Sequence, residues 1–166
     1  MIKADAFRKK ALAMGAAGAK IIDPSTIATA AWVRLKCQYG CGGYGGCLCC
    51  PPHSPPPEQT RAVLDCYSKA LLVHCKPKTG VNKIVVTLER EIFLAGFHKA
   101  LAFGAGPCRL CKECDMDACR HPEKARPSME ACGIDVYQTA RANGFPIQVV
   151  VDESSDQNYF GAVLID

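Results

Sequence analysis

Cys108, Cys111, Cys114 and Cys119 fall within twelve residues, in the run C-R-L-C-K-E-C-D-M-D-A-C-R-H-P that ends at Pro122. The spacing is C-x2-C-x2-C-x4-C. Three thiolates at two-residue intervals let a short loop wrap one corner of an iron–sulfide cubane and ligate three of its irons. The bacterial ferredoxin run C-x2-C-x2-C-x3-C-P is the nearest template. Here the fourth cysteine comes one residue later, and the proline later still. Zinc is the competing metal. Tetrahedral zinc sites usually draw on two separated C-x2-C knuckles, and a third cysteine three residues on has no place in that plan. The spacing favours a [4Fe-4S] cluster, with zinc as the alternative.

A second knot lies upstream. C-Q-Y-G-C-G-G-Y-G-G-C-L-C-C-P-P holds Cys37, Cys41, Cys47, Cys49 and Cys50. Gly40, Gly42, Gly43, Gly45 and Gly46 work against regular structure and let backbone amides turn inward. Such a nest suits a phosphate, but the G-x-x-x-x-G-K-[ST] of a P-loop is missing. Amides directed at cluster sulfur serve equally well, since such hydrogen bonds tune a cluster's potential. At least three of these five cysteines are read as ligands.

Two knots allow two clusters. In the simplest partition Cys108, Cys111, Cys114 and Cys119 hold one, and Cys37, Cys41 and Cys50 with Cys47 or Cys49 hold the other. In two-cluster ferredoxins the fourth cysteine serves the other cluster. By that analogy Cys119 serves the first knot, and a cysteine from residues 47 to 50 takes its place. A third arrangement has one cluster only, with the first knot binding zinc or staying reduced. If Cys37, Cys41 and Cys50 alone hold a cluster, one iron is left open as a Lewis acid. Tyr44, His53, His121 and Glu130 are then the candidates for proton chemistry nearby, although each of these types is more often structural. Cys66 and Cys75 read as small core residues and Cys132 as structural. His98 reads as a solvated helix residue.

At 166 residues the chain fits one domain with a substantial core. Twelve cysteines would suggest a disulfide framework in a secreted protein. The start M-I-K-A-D-A-F-R-K-K is charged from its third residue and lacks a signal-peptide run. No stretch reaches the eighteen apolar residues of a membrane span. Reduced thiols in the cytoplasm, kept for metal, are the expectation. The net charge of +4 is mild and spread out, so neither nucleic acid nor membrane is expected as a partner.

The elements that must position these cysteines follow from periodicity. A helix is expected over 2–16, with Ala6, Phe7, Leu12 and Met14 inward. A-K-I-I-D reads as a strand, and Asp23-Pro24-Ser25-Thr26 as the start of a helix running to about Leu35. Its inward residues are Ile27, Ala31, Trp32 and Leu35, with Trp32 in the core. The prolines after the knot, Pro51 to Pro57, form a stiff arm. Residues 57–68 read as a short helix, K-A-L-L-V-H-C as a buried strand, and K-I-V-V-T-L as a strand or the lead-in to a helix. L-E-R-E-I-F-L-A-G-F-H-K-A-L-A-F reads as a long helix. It turns Leu88, Ile92, Phe93, Phe97 and Leu101 inward, and Glu89, Arg90 and Lys99 outward. A short helix closed by Asn143-Gly144 follows the second knot. I-Q-V-V-V-D and Y-F-G-A-V-L-I-D read as an antiparallel terminal hairpin. The fold class is α/β or α+β: one domain, a small mixed sheet with flanking helices, and two cysteine-rich loops at one end.

Several segments together carry a family resemblance: L-K-C-Q-Y-G-C-G-G-Y-G with C-P-P-H-S-P-P-P-E, then L-E-R-E-I-F-L-A-G-F-H-K-A-L, G-P-C-R-L-C-K-E-C and C-R-H-P-E-K-A-R-P-S-M-E-A-C-G-I-D-V. They resemble the bacterial and archaeal family of predicted metal-binding proteins designated domain of unknown function 2284. The resemblance implies a cytoplasmic iron–sulfur protein of anaerobic metabolism with no assigned reaction. Carried onto this chain, the family's cysteine pattern falls on Cys37, Cys41, Cys50, Cys108, Cys111, Cys114 and Cys119. Cys47 and Cys49 are additions to that pattern and leave the choice among 47, 49 and 50 open.

Three functions are consistent with these residues. The first is electron transfer through one or two clusters, with an unidentified redox protein or enzyme as partner. The second is an enzyme with an open iron. The third is a structural zinc scaffold.

Overall fold

A computed structural model of the chain describes residues 2–166. Its elements are α1 (Ile2–Ala13), β1 (Gly18–Ile22), α2 (Ala31–Gly40), α3 (Pro57–Leu64), β2 (Ala70–Cys75), α4 (Val81–Leu94), β3 (Leu101–Phe103), α5 (Val136–Ala142) and β4 (Tyr159–Leu164). The strands form one sheet in the order β1-β2-β4-β3. The expected mixed sheet is antiparallel at every pairing, which makes the fold α+β.

Both faces of the sheet are covered, so its central strands alternate between two apolar layers. Ala70 and Leu72 of β2 and Phe160, Ala162 and Leu164 of β4 face a layer completed by Leu64, Met129, Cys132, Ile134 and Ala140. Leu71, Val73 and Cys75 of β2 and Val163 of β4 face the other layer, under Phe7 and Ala11 of α1 and Ile84, Val85, Leu88 and Ile92 of α4. All six residues of β2 are buried, as its unbroken apolar run implied. Helix α4 comes close to β4 because Gly161 has no side chain. A Cβ there would lie 2.9 Å from both the Phe103 carbonyl oxygen and Val85 Cγ1.

The structure corrects several expected boundaries. Asp23 does cap a turn, accepting from the Ser25 N–H at 2.8 Å, but the turn is a single 3-10 turn over Pro24–Thr26. The helix proper begins at Ala31. Trp32 is therefore on its outer face at 49% exposure, and Leu35 is exposed as well, while Ile27 is buried outside any helix. K-I-V-V-T-L belongs to α4, which ends at Leu94, where Ala95 and Gly96 (φ 100°) close it. Leu101–Phe103, expected in that helix, is β3. Phe93 is exposed, and so are Leu12 and Ala6 of α1. The terminal hairpin does not form. Strand β4 already pairs with β2 on one side and β3 on the other, so residues 147–151 have no free edge of β4 to join. Val149, Val150 and Val151 are left exposed. Cys75 and Cys132 are buried as expected, whereas Cys66 is exposed. His98 is solvated.

Glu89 is the correction that bears on the site. It is buried, not on a polar face, and its carboxylate accepts from the Ala102 N–H at 3.2 Å and Arg126 Nε at 2.7 Å. Removing one member of a buried ion pair strands the other. Glu89→Ala is expected to lower stability by about 3 kcal/mol, read as a fall in the urea midpoint. Asp65→Asn, which removes an exposed partner of Arg61, should leave the midpoint unchanged.

Candidate metal centre

Neither thiol loop contains regular structure beyond turns, so each is fixed at its ends. The first begins on the last turns of α2, which carry Cys37, with Cys41 at the helix end. Arg34 sits one turn ahead. Its Nη1 lies within hydrogen-bonding distance of the Ser54 and Pro55 carbonyls (3.1 and 2.9 Å), Ser54 Oγ (3.3 Å) and the Ala131 carbonyl (3.0 Å). Ser54 Oγ itself donates to the Ala131 carbonyl at 2.6 Å. One guanidinium thus joins the start of the loop, its exit and the segment before Cys132. Inside the loop, Gly45 at φ 72° donates to the Pro51 carbonyl at 2.8 Å, and the Cys50 N–H donates to the Cys47 carbonyl at 3.0 Å.

The second loop leaves and returns at a single point. Gly104 donates to the Pro127 carbonyl at 2.9 Å and accepts from the Met129 N–H at 3.0 Å, forming a parallel bridge opposite Ser128. Asn82 of α4 grips Ala105 on both its N–H (2.7 Å) and its carbonyl (3.1 Å). Arg126, held by Glu89, closes the other side. Within the loop, Asp115 accepts from the backbone N–H groups of Asp117 and Ala118, which hold its carboxyl below the usual range with help from Arg120.

The two loops meet. Cys108, Cys111, Cys114 and Cys119 line one cavity of about 110 Å³, and Cys47 and Cys49 of the first knot line it with them. The sequence left Cys47 and Cys49 undecided, and the fold brings both to the second knot. His121 lines the same cavity. Cys37 and Cys41 line a different and larger depression of about 700 Å³, together with Glu130. Cys50 is buried between the two groups, its sulfur 3.3 Å from that of Cys47. Tyr44 and His53 are exposed.

The thiols disturb one another. Burial, followed by the neighbouring Cys108 and Cys47, pushes Cys49 up to about 12. Burial and the hydrogen bond with Cys47 push Cys50 up to about 12, with Cys41 and Cys49 adding to it. Cys37 is raised by burial, then by Cys41 and Glu130. Thiolates this close repel, and a cation among them reverses that balance by taking thiols as anions. Among the described residues no three Cys, His, Asp or Glu side chains converge tightly enough to hold a single ion as placed. The cavity donors are sulfur, which fits both an iron–sulfur cluster and zinc.

Residues 20–165 match the model of a family described as "Predicted metal-binding protein (DUF2284)". No curated protein and no solved structure matches the chain.

Two outcomes follow from this geometry. Arg34→Met removes the clamp on the first loop. It should increase proteolytic cleavage between residues 41 and 55 and lower stability by about 2 to 3 kcal/mol. Thiols held protonated at neutral pH must lose their protons to bind metal. Metal uptake by the apoprotein should therefore release protons into weakly buffered solution and strengthen as pH rises from mildly acidic to mildly alkaline. Calorimetry in buffers of different ionisation enthalpy counts those protons.

Proposed function

The chain belongs to this family of predicted metal-binding proteins, and from that premise we propose that it holds a [4Fe-4S] cluster and passes electrons through it to a redox protein or enzyme of the cytoplasm. One observation carries the reading: six thiols from two separate loops line one cavity. Cys108, Cys111, Cys114 and Cys119 would hold the cluster, and Cys49, which lines the same cavity, would be the substitute for one of them. Cys37, Cys41 and Cys50, joined by Cys47, form the set for a second cluster. A bound cluster supplies one-electron exchange.

The chain's own residues prepare the place for it. Leu48 and Leu110 line the cavity beside the thiols and limit water. Lys112 and Arg120, which also line it, offset the negative charge that four thiolates bring. The anchored ends of both loops hold sulfur atoms together that would otherwise move apart. The open-iron reading keeps one specific support: Cys37 and Cys41 line the larger depression rather than the cavity that six other thiols share.

Protein purified without oxygen should contain iron and acid-labile sulfide in equal amounts and give an EPR signal on reduction. Cys108→Ser and Cys114→Ser should each remove at least half of the iron, while Cys66→Ser, at an exposed thiol distant from the knots in sequence, should leave it unchanged. A colourless protein with stoichiometric zinc would refute the redox reading and leave the zinc scaffold.

A further inference from the structure

The depression beside Cys37 and Cys41 has the makings of a ligand site. Its volume of about 700 Å³ falls in the range of small-molecule pockets. Val33, Ile134, Val136 and Ile147 line it together with the aromatic Trp32 and Tyr137. Trp32 is half exposed although it is the only tryptophan in the chain. A large aromatic side chain left half exposed at a depression suits stacking against a flat molecule.

The polar groups are distributed unevenly. Lys36 and Arg141 both line the depression, both are exposed, and among the described residues neither is in an ion pair with a carboxylate. Arg141 lies over the Tyr137 ring at 5.6 Å and donates to the Ile147 carbonyl at 3.3 Å, which holds its guanidinium in place. Asp135, a half-buried counter-charge that also lines the depression, caps α5 by accepting from the Gln138 N–H at 2.9 Å. On the inner wall is Glu130. Its Oε2 is the one buried side-chain oxygen or nitrogen among the described residues with no hydrogen-bond partner. Buried polar atoms are nearly always satisfied, so an exception calls for a missing partner.

We propose that this depression binds a small ring-containing carboxylate that also carries a hydroxyl or N–H donor. The ring lies against Trp32 and Tyr137, the carboxylate meets Lys36 and Arg141, and the donor meets Glu130 Oε2, the one oxygen of that carboxyl without a partner. A molecule so bound rests beside Cys37 and Cys41, where the first-knot metal would be. The inference deepens the cluster reading by naming what approaches it, yet its contacts are made by residues that bind no metal.

The test uses the full chain isolated without oxygen, with 4-hydroxybenzoate as probe. Calorimetry and Trp32 fluorescence should report saturable one-to-one binding. Benzoate, which lacks the donor, and 4-hydroxybenzyl alcohol, which lacks the charge, should each bind about tenfold more weakly. The Lys36→Leu/Arg141→Leu double variant, altered only at exposed positions, should lose the preference for the carboxylate. Glu130→Met should lose the preference for the hydroxyl; if that variant does not fold, the surface double variant decides alone. No saturable response, equal affinity for the three compounds, or binding unchanged in the double variant would overturn the proposal. Iron and sulfide measured on the same preparation separate that failure from a failure of the cluster reading.

Discussion

The crowding of thiols that resist ionisation beside one another is the constraint that the rest of this fold answers. A loop rich in cysteine and glycine has no regular hydrogen bonding to hold its shape, and each sulfur that ionises to take up metal repels the next. The chain meets this at the loop ends. Arg34 gathers Ser54, Pro55 and Ala131 around one nitrogen, and Gly104, Asn82 and the Glu89–Arg126 pair close the base of the second loop. Closing a loop of this length carries an entropic penalty that grows only slowly with length, by about 0.6 kcal/mol per doubling. A few well-placed anchors are therefore enough, and the interior of each loop is free to follow the needs of its sulfurs.

Helix α4 makes those anchors rigid. Its Val81, Ile84, Val85, Leu88 and Ile92 are fixed in the core, while Asn82 and Glu89 reach the second loop and β3. The same helix is thus core on one side and clamp on the other. Gly161 permits this by letting the helix sit directly on β4. A bulkier residue there would shift α4 from the sheet, and Asn82 and Glu89 would move with it. The thiol loop thereby depends on a glycine in another element, with no cysteine involved.

The sequence was informative where chemistry and local pattern coincide. The buried strand at Ala70–Cys75 is legible because an unbroken apolar run decides it, and the short helix expected over 57–68 forms over Pro57–Leu64. It was misleading where tertiary context overrides local preference. Trp32 looked like core because tryptophan usually is, but α2 starts at Ala31 and turns it outward. Residues 147–151 have a strand's composition, yet strand formation needs a free edge, and β4 is flanked on both sides. Glu89 falls on the polar side of the helical pattern, which cannot show that Arg126, 37 residues on, returns to pair with it. The meeting of Cys47 and Cys49 with the second knot is likewise a matter of long-range closure. The only hint is two cysteines beyond the pattern that the family resemblance implies, which bring the upstream knot to five thiols.

Those two additions suggest how the site is organised. Had the knots been independent, each would enclose its own sulfurs and the boundary between them would be free of thiols. Instead Cys50 touches Cys47, Cys47 and Cys49 line the cavity of the second knot, and Cys37 and Cys41 remain on the opposite side facing a wide depression. The sulfurs of the two knots run from the narrower cavity, beside Leu48 and Leu110, to the wider depression, beside Trp32 and Arg141, with Cys47 and Cys50 in contact. One glycine-rich loop supplies thiols to both, and its five cysteines, more than the four thiolates of a single [4Fe-4S] cluster, are what allow it to do so.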